Sequence, residues 1–106
     1  MPKIVRRRYI AVRIDSDQTI EREDFIRAVW SNILRLFGEY GASQMELKII
    51  DYDPKKRLAV LRCSHKALPL VKASILCITH IGASEVAIRV ERVSGTLRAL
   101  RRKLSL

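Results

Sequence analysis

A chain of 106 residues, of which 48% are hydrophobic, is long enough for one domain with its own core, which excludes a disordered protein. It carries 21 Lys and Arg residues against 11 Asp and Glu residues, so its formal net charge is +10. This excess favours a polyanionic partner, and no apolar stretch approaches the roughly 18 residues that a membrane helix needs.

The first two predicted elements are a strand at 8–14 and a helix at about 20–39. The apolar residues that share one face of the strand are Ile10, Val12 and Ile14. This alternation is typical of a half-buried strand. The apolar stripe of the helix recurs at helical spacing and contains Ile26, Val29, Trp30, Ile33, Leu34 and Phe37. Gly41 is predicted to end the helix.

A β-hairpin is predicted next, with strands at 43–53 and 57–64. Apolar residues alternate in its first strand as they do in strand 1. The DPKK segment between the strands has turn chemistry, because Pro54 fixes its own backbone dihedral. Asp51 and Asp53 are therefore expected to shape the hairpin and not to form a catalytic pair.

The second predicted helix covers 65–81 and ends at Gly82. Pro69 lies near its start, so the helix is expected to begin one turn later or to kink. Apolar side chains surround most of this helix, which is more than one core-facing side requires. We therefore expect a protein interface on its open side. The candidate interface residues are Leu70, Leu76, Cys77 and Ile81.

The last predicted strand, 84–93, is followed by a short basic helix within VSGTLRALRRKLSL. This element order predicts an α+β fold, a ferredoxin-like or RRM-like two-layer sandwich of the βαββαβ type. Its antiparallel sheet would have the strand order 4-1-3-2, with the helices on one face. We expect residues 1–106 to form this single domain.

Basic residues concentrate near both ends of the chain, and the predicted strand order would bring the two groups together. The start of strand 1 would then lie beside the end of strand 4. A converged basic surface is typical of phosphate contact, and a merely solvated charged face is the alternative. The residues expected to contact RNA from these two segments are Arg6, Arg7, Arg8, Ser94, Thr96, Arg98, Arg101, Arg102 and Lys103.

Stacking of RNA bases on the sheet is not expected. RNA-recognition domains place aromatic side chains on their strands for this purpose. Here the third strand has no aromatic residue, and the first offers only Tyr9. Recognition of the backbone and shape of a structured RNA is the better interpretation.

Metal and catalytic sites are also not expected. The side chains that could bind zinc are those of Cys63, His65, Cys77 and His80. About 12 helical residues would separate the first of these from the third by about 18 Å, too far for one ion. The sequence has no GxSxG motif, no P-loop, and no residue that would orient a Cys–His dyad. We therefore predict no catalytic residues and no metal ligands.

Several stretches together resemble the archaeal ribonuclease P protein component 2 family, whose eukaryotic relatives are small subunits of the same enzyme. These stretches are RRRYIAVRI, AVWSNILRLFGEYGASQMELKIIDYD, LAVLRCSHKAL and VSGTLRALRRK. The resemblance runs from about residue 5 to 103 and depends on the order and spacing of LFGEYGAS, RCSHK and SGT. By position it adds Arg62, His65 and Lys66 to the residues expected to contact RNA.

The family implies an RRM-like α/β sandwich without an active site of its own. The ribonuclease P RNA carries the magnesium-dependent cleavage that matures the 5′ ends of tRNA, so this chain would contact precursor tRNA only indirectly. The resemblance also implies pairing with ribonuclease P protein component 3, a barrel-like protein, and self-association. No cofactor is expected to bind this chain itself.

Other functions remain open from the sequence. The chain could be a structural RNA-binding protein of another ribonucleoprotein such as the ribosome, or a ferredoxin-like small-molecule-binding regulatory domain. A metabolic enzyme is disfavoured because no polar constellation is evident. The N-terminus lacks the apolar core of a signal peptide and the two cysteines form no CxxC pair, so a reducing, cytoplasmic location without membrane contact is expected.

Overall fold

The structure, a computed structural model, describes residues 6–104. Its helices are α1 (Arg22–Gln44), α2 (Leu68–Leu76) and α3 (Leu97–Leu104). Its strands are β1 (Arg7–Asp15), β2 (Lys48–Asp53), β3 (Leu58–Ser64), β4 (His80–Ile81), β5 (Ser84–Glu85) and β6 (Ala87–Ser94). None of these helices combines the length and the apolar character that a membrane crossing requires.

Four strands form one antiparallel sheet in the order β2-β3-β1-β6. With β6 as the fourth long strand, this is the predicted order 4-1-3-2, so the ferredoxin-like arrangement is confirmed. The short strands β4 and β5 form a separate ribbon that the sequence analysis did not predict. The ladder of β1 with β6 shifts register between Ala11 and Val12, and that of β2 with β3 shifts between Ile49 and Asp51.

The main core lies between the sheet and the pair α1 and α2. Alternate side chains of each long strand point into this core, as the sequence period requires. The fully buried residues with the largest volumes in this layer are Phe25, Ile10, Ile14, Ile33, Leu61 and Ile75. The ring of Phe25 stacks on that of Tyr52 with centroids 5.1 Å apart, and the Tyr52 hydroxyl donates to the carbonyl of Ile20. This contact fixes the segment that leads into α1.

The opposite face of the sheet, here called the outer face, carries α3. Ala11, Val60 and Leu100 are buried together there, with Leu97 and Leu104 packed around them. The three leucines are spaced at i, i+3 and i+7, so they share one side of α3 and its basic residues lie on the other. The small Ala11 side chain allows close approach. The fold therefore has α1 and α2 on one face, as predicted for the two crossover helices, and α3 on the other face, which the sequence analysis did not assign.

Helix α1 is kinked and extends beyond the end that the sequence predicted. The break occurs at Gly38, where φ is 71°, and helical backbone then resumes up to Gln44. Positive φ is readily adopted by glycine because it has no Cβ. Gly41, the predicted end, lies inside the second segment, where a Cβ would stand 2.8 Å from the Phe37 Cβ. Leu34, placed in the apolar stripe from the sequence, is 42% exposed.

The second helix is nine residues long and much shorter than the predicted 65–81. It begins at Leu68 with Pro69 in its first turn, which confirms the expected later start. After Leu76 the chain leaves the helix, and Ile81 enters the core from β4, where it is only 4% exposed. The prediction that Ile81 belongs to an exposed interface is therefore wrong, because Ile81 lies on a short strand and packs in the main core.

Candidate nucleic-acid interface

The start of β1 lies between two turns that carry predicted site residues. On one side, the backbone amide of His65 donates a 2.7 Å hydrogen bond to the carbonyl of Arg6. On the other side, Tyr9 pairs with Ser94 at the end of β6. The structure thus places the arginines at the start of β1 beside both the β3–α2 turn and the β6–α3 turn.

The Arg8 side chain lies close to Gly95, which stands between β6 and the basic helix α3. The Nη1 atom of Arg8 lies 3.7 Å from the position that a Cβ on Gly95 would occupy. Arg8 is half-buried, and the same Nη1 atom donates to the carbonyl of Arg7 at 3.0 Å. The guanidinium is therefore held close to the residue where the chain turns from β6 into α3.

The hydroxyl groups of the β6–α3 turn serve the helix. Thr96 accepts a 3.1 Å hydrogen bond from the amide of Ala99, which is the geometry of a helix cap. The Ser94 hydroxyl accepts from the amide of Thr96 at 3.4 Å, and Ser94 is only 8% exposed. Burial favours a structural role for Ser94, whereas Thr96 is exposed and remains accessible.

The basic residues of α3 face solvent. The exposed members are Arg98, Arg101, Arg102 and Lys103. Three of them stand in the last turn, where positive charge also interacts favourably with the helix dipole. Because the leucine side of α3 is packed on the sheet, these basic residues lie on the solvent side of a helix whose position is fixed.

The acidic residues of the sheet neutralise a different set of arginines. Arg13 bonds to Glu91 at 2.6 Å, and Arg89 bonds to Asp15 at 3.1 Å. The hydrogen bond from Arg13 holds the pKa of Glu91 below its ordinary value, so this carboxylate stays ionised. Within residues 6–104, no ion pair within 4.0 Å involves the basic residues predicted at Arg6, Arg7, Arg8, Arg62, His65, Lys66, Arg98, Arg102 or Lys103.

A groove lies beside the β3–α2 turn, with a volume of about 780 Å³. Arg6, His65 and Lys66 line one part of it, and Phe37 and Leu70 line another. The first three residues belong to the predicted RNA-binding set, and Leu70 belongs to the predicted protein interface. The groove therefore lies where the basic surface meets the apolar side of α2.

Arg62 lies on the outer face, in register with Lys48 on β2 and with Tyr9 on β1. The sequence analysis missed Lys48, because its position opposite Arg62 depends on the hairpin register. That register shifts at a bulge after Ile49, which spacing alone does not reveal. The structure thus adds one cation to the predicted set.

The two cysteines differ in their exposure. Burial raises the pKa of the Cys63 thiol to about 11, so it stays protonated near neutral pH. Cys77 is exposed after the end of α2. Among residues 6–104, no three His, Cys, Asp or Glu side chains come together in a way that could hold a metal ion.

The large apolar residues that are exposed within residues 6–104 lie on α1 and α2. Leu70 is 47% exposed and Leu76 is 51% exposed on α2, and Cys77 follows them at the surface. Tyr40, which the sequence analysis did not select, is 80% exposed beyond the kink of α1. The kink at Gly38 breaks the helical period, so the exposure of Tyr40 could not be obtained from residue spacing.

Comparisons with known proteins agree over almost the full chain. The model of the Rpp14/Pop5 family matches residues 8–105. Ribonuclease P protein component 2 of Archaeoglobus fulgidus is 34% identical over 99 residues, which cover 92% of this chain and 87% of that protein. The protein of the same name from Pyrococcus abyssi is 30% identical over 98 residues, with coverage of 92% and 83%.

A solved structure shares the fold. A chain in the cryo-EM structure of yeast ribonuclease MRP aligns with a TM-score of 0.70 and 16% sequence identity, covering 99% of this chain and 92% of that chain. At this identity the likeness concerns the fold alone. The family match and the archaeal relatives confirm the resemblance drawn from the sequence, and they show that the chain belongs to the Rpp14/Pop5 family.

Proposed function

We propose that this protein is a non-catalytic subunit of ribonuclease P, which binds and stabilises the catalytic RNA and supports removal of the 5′ leader from precursor tRNA. Its membership of the Rpp14/Pop5 family and its likeness to archaeal ribonuclease P protein component 2 support this function. The structural observation that supports it is the closeness of Arg8, near the start of the chain, to Gly95, in the turn that leads into the basic helix α3.

The mechanism that we propose is electrostatic. Folding a catalytic RNA brings phosphates close together, and their repulsion must be screened by ions or by protein cations. Arg102 and Lys103 stand on a helix that is anchored to the sheet, so the backbone that carries them is already ordered before they meet phosphate. Such fixed cations would lower the concentration of magnesium that the RNA needs for its active fold. Magnesium itself would bind to the RNA subunit.

The apolar side of α2 supports a second part of the proposal, an interface with ribonuclease P protein component 3. Leu70 and Leu76 are both about half exposed, and with the exposed Cys77 they give the solvent side of this nine-residue helix an apolar character. Leu70 also lines the groove beside His65 and Lys66, so a protein bound there would lie next to the proposed RNA surface. A second copy of this chain is the alternative occupant of this surface.

Reconstitution tests the proposed function. Cleavage of precursor tRNA by the RNA subunit would be measured at limiting magnesium, with and without this chain and component 3. We expect cleavage to require less magnesium when the chain is present. If the magnesium dependence is the same with and without it, the proposal fails. A ribosomal protein would instead bind ribosomal RNA in preference to the ribonuclease P RNA, and competition between the two RNAs distinguishes these functions.

A further inference from the structure

The outer face of the sheet has a row of aligned residues at the end where β1 begins. Lys48 on β2 is opposite Arg62 on β3, and Arg62 is opposite Tyr9 on β1. Directly opposite residues in an antiparallel ladder have Cβ atoms about 4.5–5.5 Å apart and project on the same side. The two cations Lys48 and Arg62 are therefore neighbours on one surface.

Neither of these two cations, Lys48 and Arg62, forms an ion pair within 4.0 Å with a carboxylate of the described chain. Like charges directly opposite each other in a ladder are destabilising. By contrast, Arg13 and Arg89, an opposed pair further along the same sheet, share the carboxylate of Glu91. The opposed pair at the other end of the sheet lacks such an anion.

The guanidinium group of Arg62 has hydrogen-bonding capacity that the described chain does not use. Its Nε atom is buried and has no hydrogen-bond partner. A buried donor without an acceptor is costly, and the cost is larger for a charged group. The two Nη atoms of Arg62 are not buried and have no acceptor within the described chain, and together they can donate two parallel hydrogen bonds to the two oxygens of a phosphate or carboxylate. Arg62 thus offers an unused bidentate edge next to a second cation.

We propose that Lys48 and Arg62 form a site for one phosphate group of the RNA backbone, with Arg62 as the bidentate ligand and Lys48 as the second charge. This inference rests on the proposed function, because it assigns a contact within the RNA interface. β2 is an edge strand of the sheet and Lys48 is exposed, so an RNA strand can reach the site. A protein carboxylate could bind the same edge, but the net charge of +10 favours RNA.

The site extends the basic surface beyond the residues near the chain ends. Tyr9 separates Arg62 from Ser94 across the sheet, and Ser94 leads into α3. An RNA backbone bound at Lys48 and Arg62 would therefore continue toward the cations of α3 without crossing the faces covered by α1 and α2. According to this proposal, the RNA contacts the outer face of the sheet and not the face covered by α1 and α2.

Binding of the ribonuclease P RNA to Lys48→Gln and Arg62→Gln variants over a range of salt concentrations tests the site. Each variant should raise Kd by about fivefold to tenfold and should reduce the slope of log Kd against log salt by about one. Arg22→Gln is the matched control, because Arg22 is exposed on α1, which packs on the opposite face. This control should follow the unaltered protein.

Two further measurements separate a phosphate site from a structural role. Arg62→Lys keeps the charge but loses the planar edge, so it should weaken binding while keeping the salt slope. Lys48→Gln removes a like-charge neighbour, so the thermal stability of the free protein should be unchanged or higher. The inference is overturned if both glutamine variants behave like Arg22→Gln, or if they keep RNA binding and lose component 3. Failure of the unaltered protein to bind this RNA would instead refute the proposed function.

Discussion

Ala11 of β1 and Leu100 of α3 lie in one apolar cluster on the outer face of the sheet, and neither side chain has exposed surface. This relationship anchors a helix whose other side is basic. It makes the orientation of the α3 cations depend on packing against the sheet. The position of positive charge in this protein is therefore a consequence of a small hydrophobic cluster separate from the main core.

The first prediction concerns Leu100. Leu100→Ala should destabilise the protein by about 2–5 kcal/mol, because truncating a fully buried leucine loses its packing and leaves a cavity. Urea denaturation followed by circular dichroism measures this change. Leu36→Ala, at a position that is 43% exposed on α1, is the matched control and should change stability by roughly 0.5 kcal/mol or less. Equal effects of the two changes would contradict the anchoring role of Leu100.

The second prediction concerns the charge of α3. Replacement of Arg101, Arg102 and Lys103 by Gln should raise the magnesium concentration needed for half-maximal cleavage severalfold, since each lost phosphate contact must be replaced by ions. The protein should stay folded, because these side chains are exposed. The control replaces the exposed Arg22 and Arg27 of α1, which lie away from the outer face. An unchanged magnesium requirement in the α3 variant would refute the electrostatic mechanism.

The third prediction concerns the apolar side of α2. Leu70→Gln together with Leu76→Gln should weaken binding to component 3 by at least about tenfold, if these leucines are central to the interface. Binding of the ribonuclease P RNA and the stability of the free chain should change little, because both side chains are about half exposed. Isothermal titration calorimetry measures the first effect. Leu34→Gln, at an exposed position of α1, serves as the control.

If light scattering instead shows that the double α2 variant changes a self-associated form to a monomer, while binding to component 3 is kept, a second copy of this chain is the occupant of the surface. No change in either measurement would remove the interface proposal.

The fourth prediction concerns pH. The pKa of Cys63 is raised to about 11 by burial, from 9.0, so the folded state holds the thiol proton more tightly than the unfolded state. Stability from this group is therefore present below about pH 9 and is lost as pH rises towards 11, with a slope of at most about 1.4 kcal/mol per pH unit. Urea denaturation at pH 8 and pH 10.5 should show a smaller loss for Cys63→Ala than for the unaltered protein.

Thiol labelling at pH 8 gives an independent check. The chain contains two cysteines, and only Cys77 is exposed. We expect rapid labelling of one thiol in the folded protein and of both in denaturant. Rapid labelling of Cys63 in the folded protein would contradict its burial.

The strand order was predictable because apolar residues alternate in each long strand and both crossovers are helical. The length of α2 was not, since Ile78 and Ile81 continue a helical spacing although they enter the core after the helix has ended. The helix period is thus ambiguous in a segment that is apolar throughout. The choice between Gly38 and Gly41 as the break in α1 was equally undetermined, because it depends on which glycine has positive φ.

The candidate site also has features that the sequence predicted and features that it did not. The proximity of Arg8 to the β6–α3 turn follows from topology alone, so the sequence predicted it. The pairing of Lys48 with Arg62 depends on a bulge in the hairpin, and the burial of Ser94 depends on where α3 docks. Both require tertiary contacts that no local pattern encodes.

The docking of α3 on the outer face has a further consequence. Leucines of α3 occupy part of the surface on which an open sheet would receive unstacked bases, so the proposed interface would recognise the shape of an RNA and not its base sequence. Compensatory base-pair exchanges that keep the shape of the RNA would then leave its affinity for this protein unchanged. The base sequence of the RNA could therefore change during evolution, without compensating changes in this protein, as long as the shape of the RNA is kept.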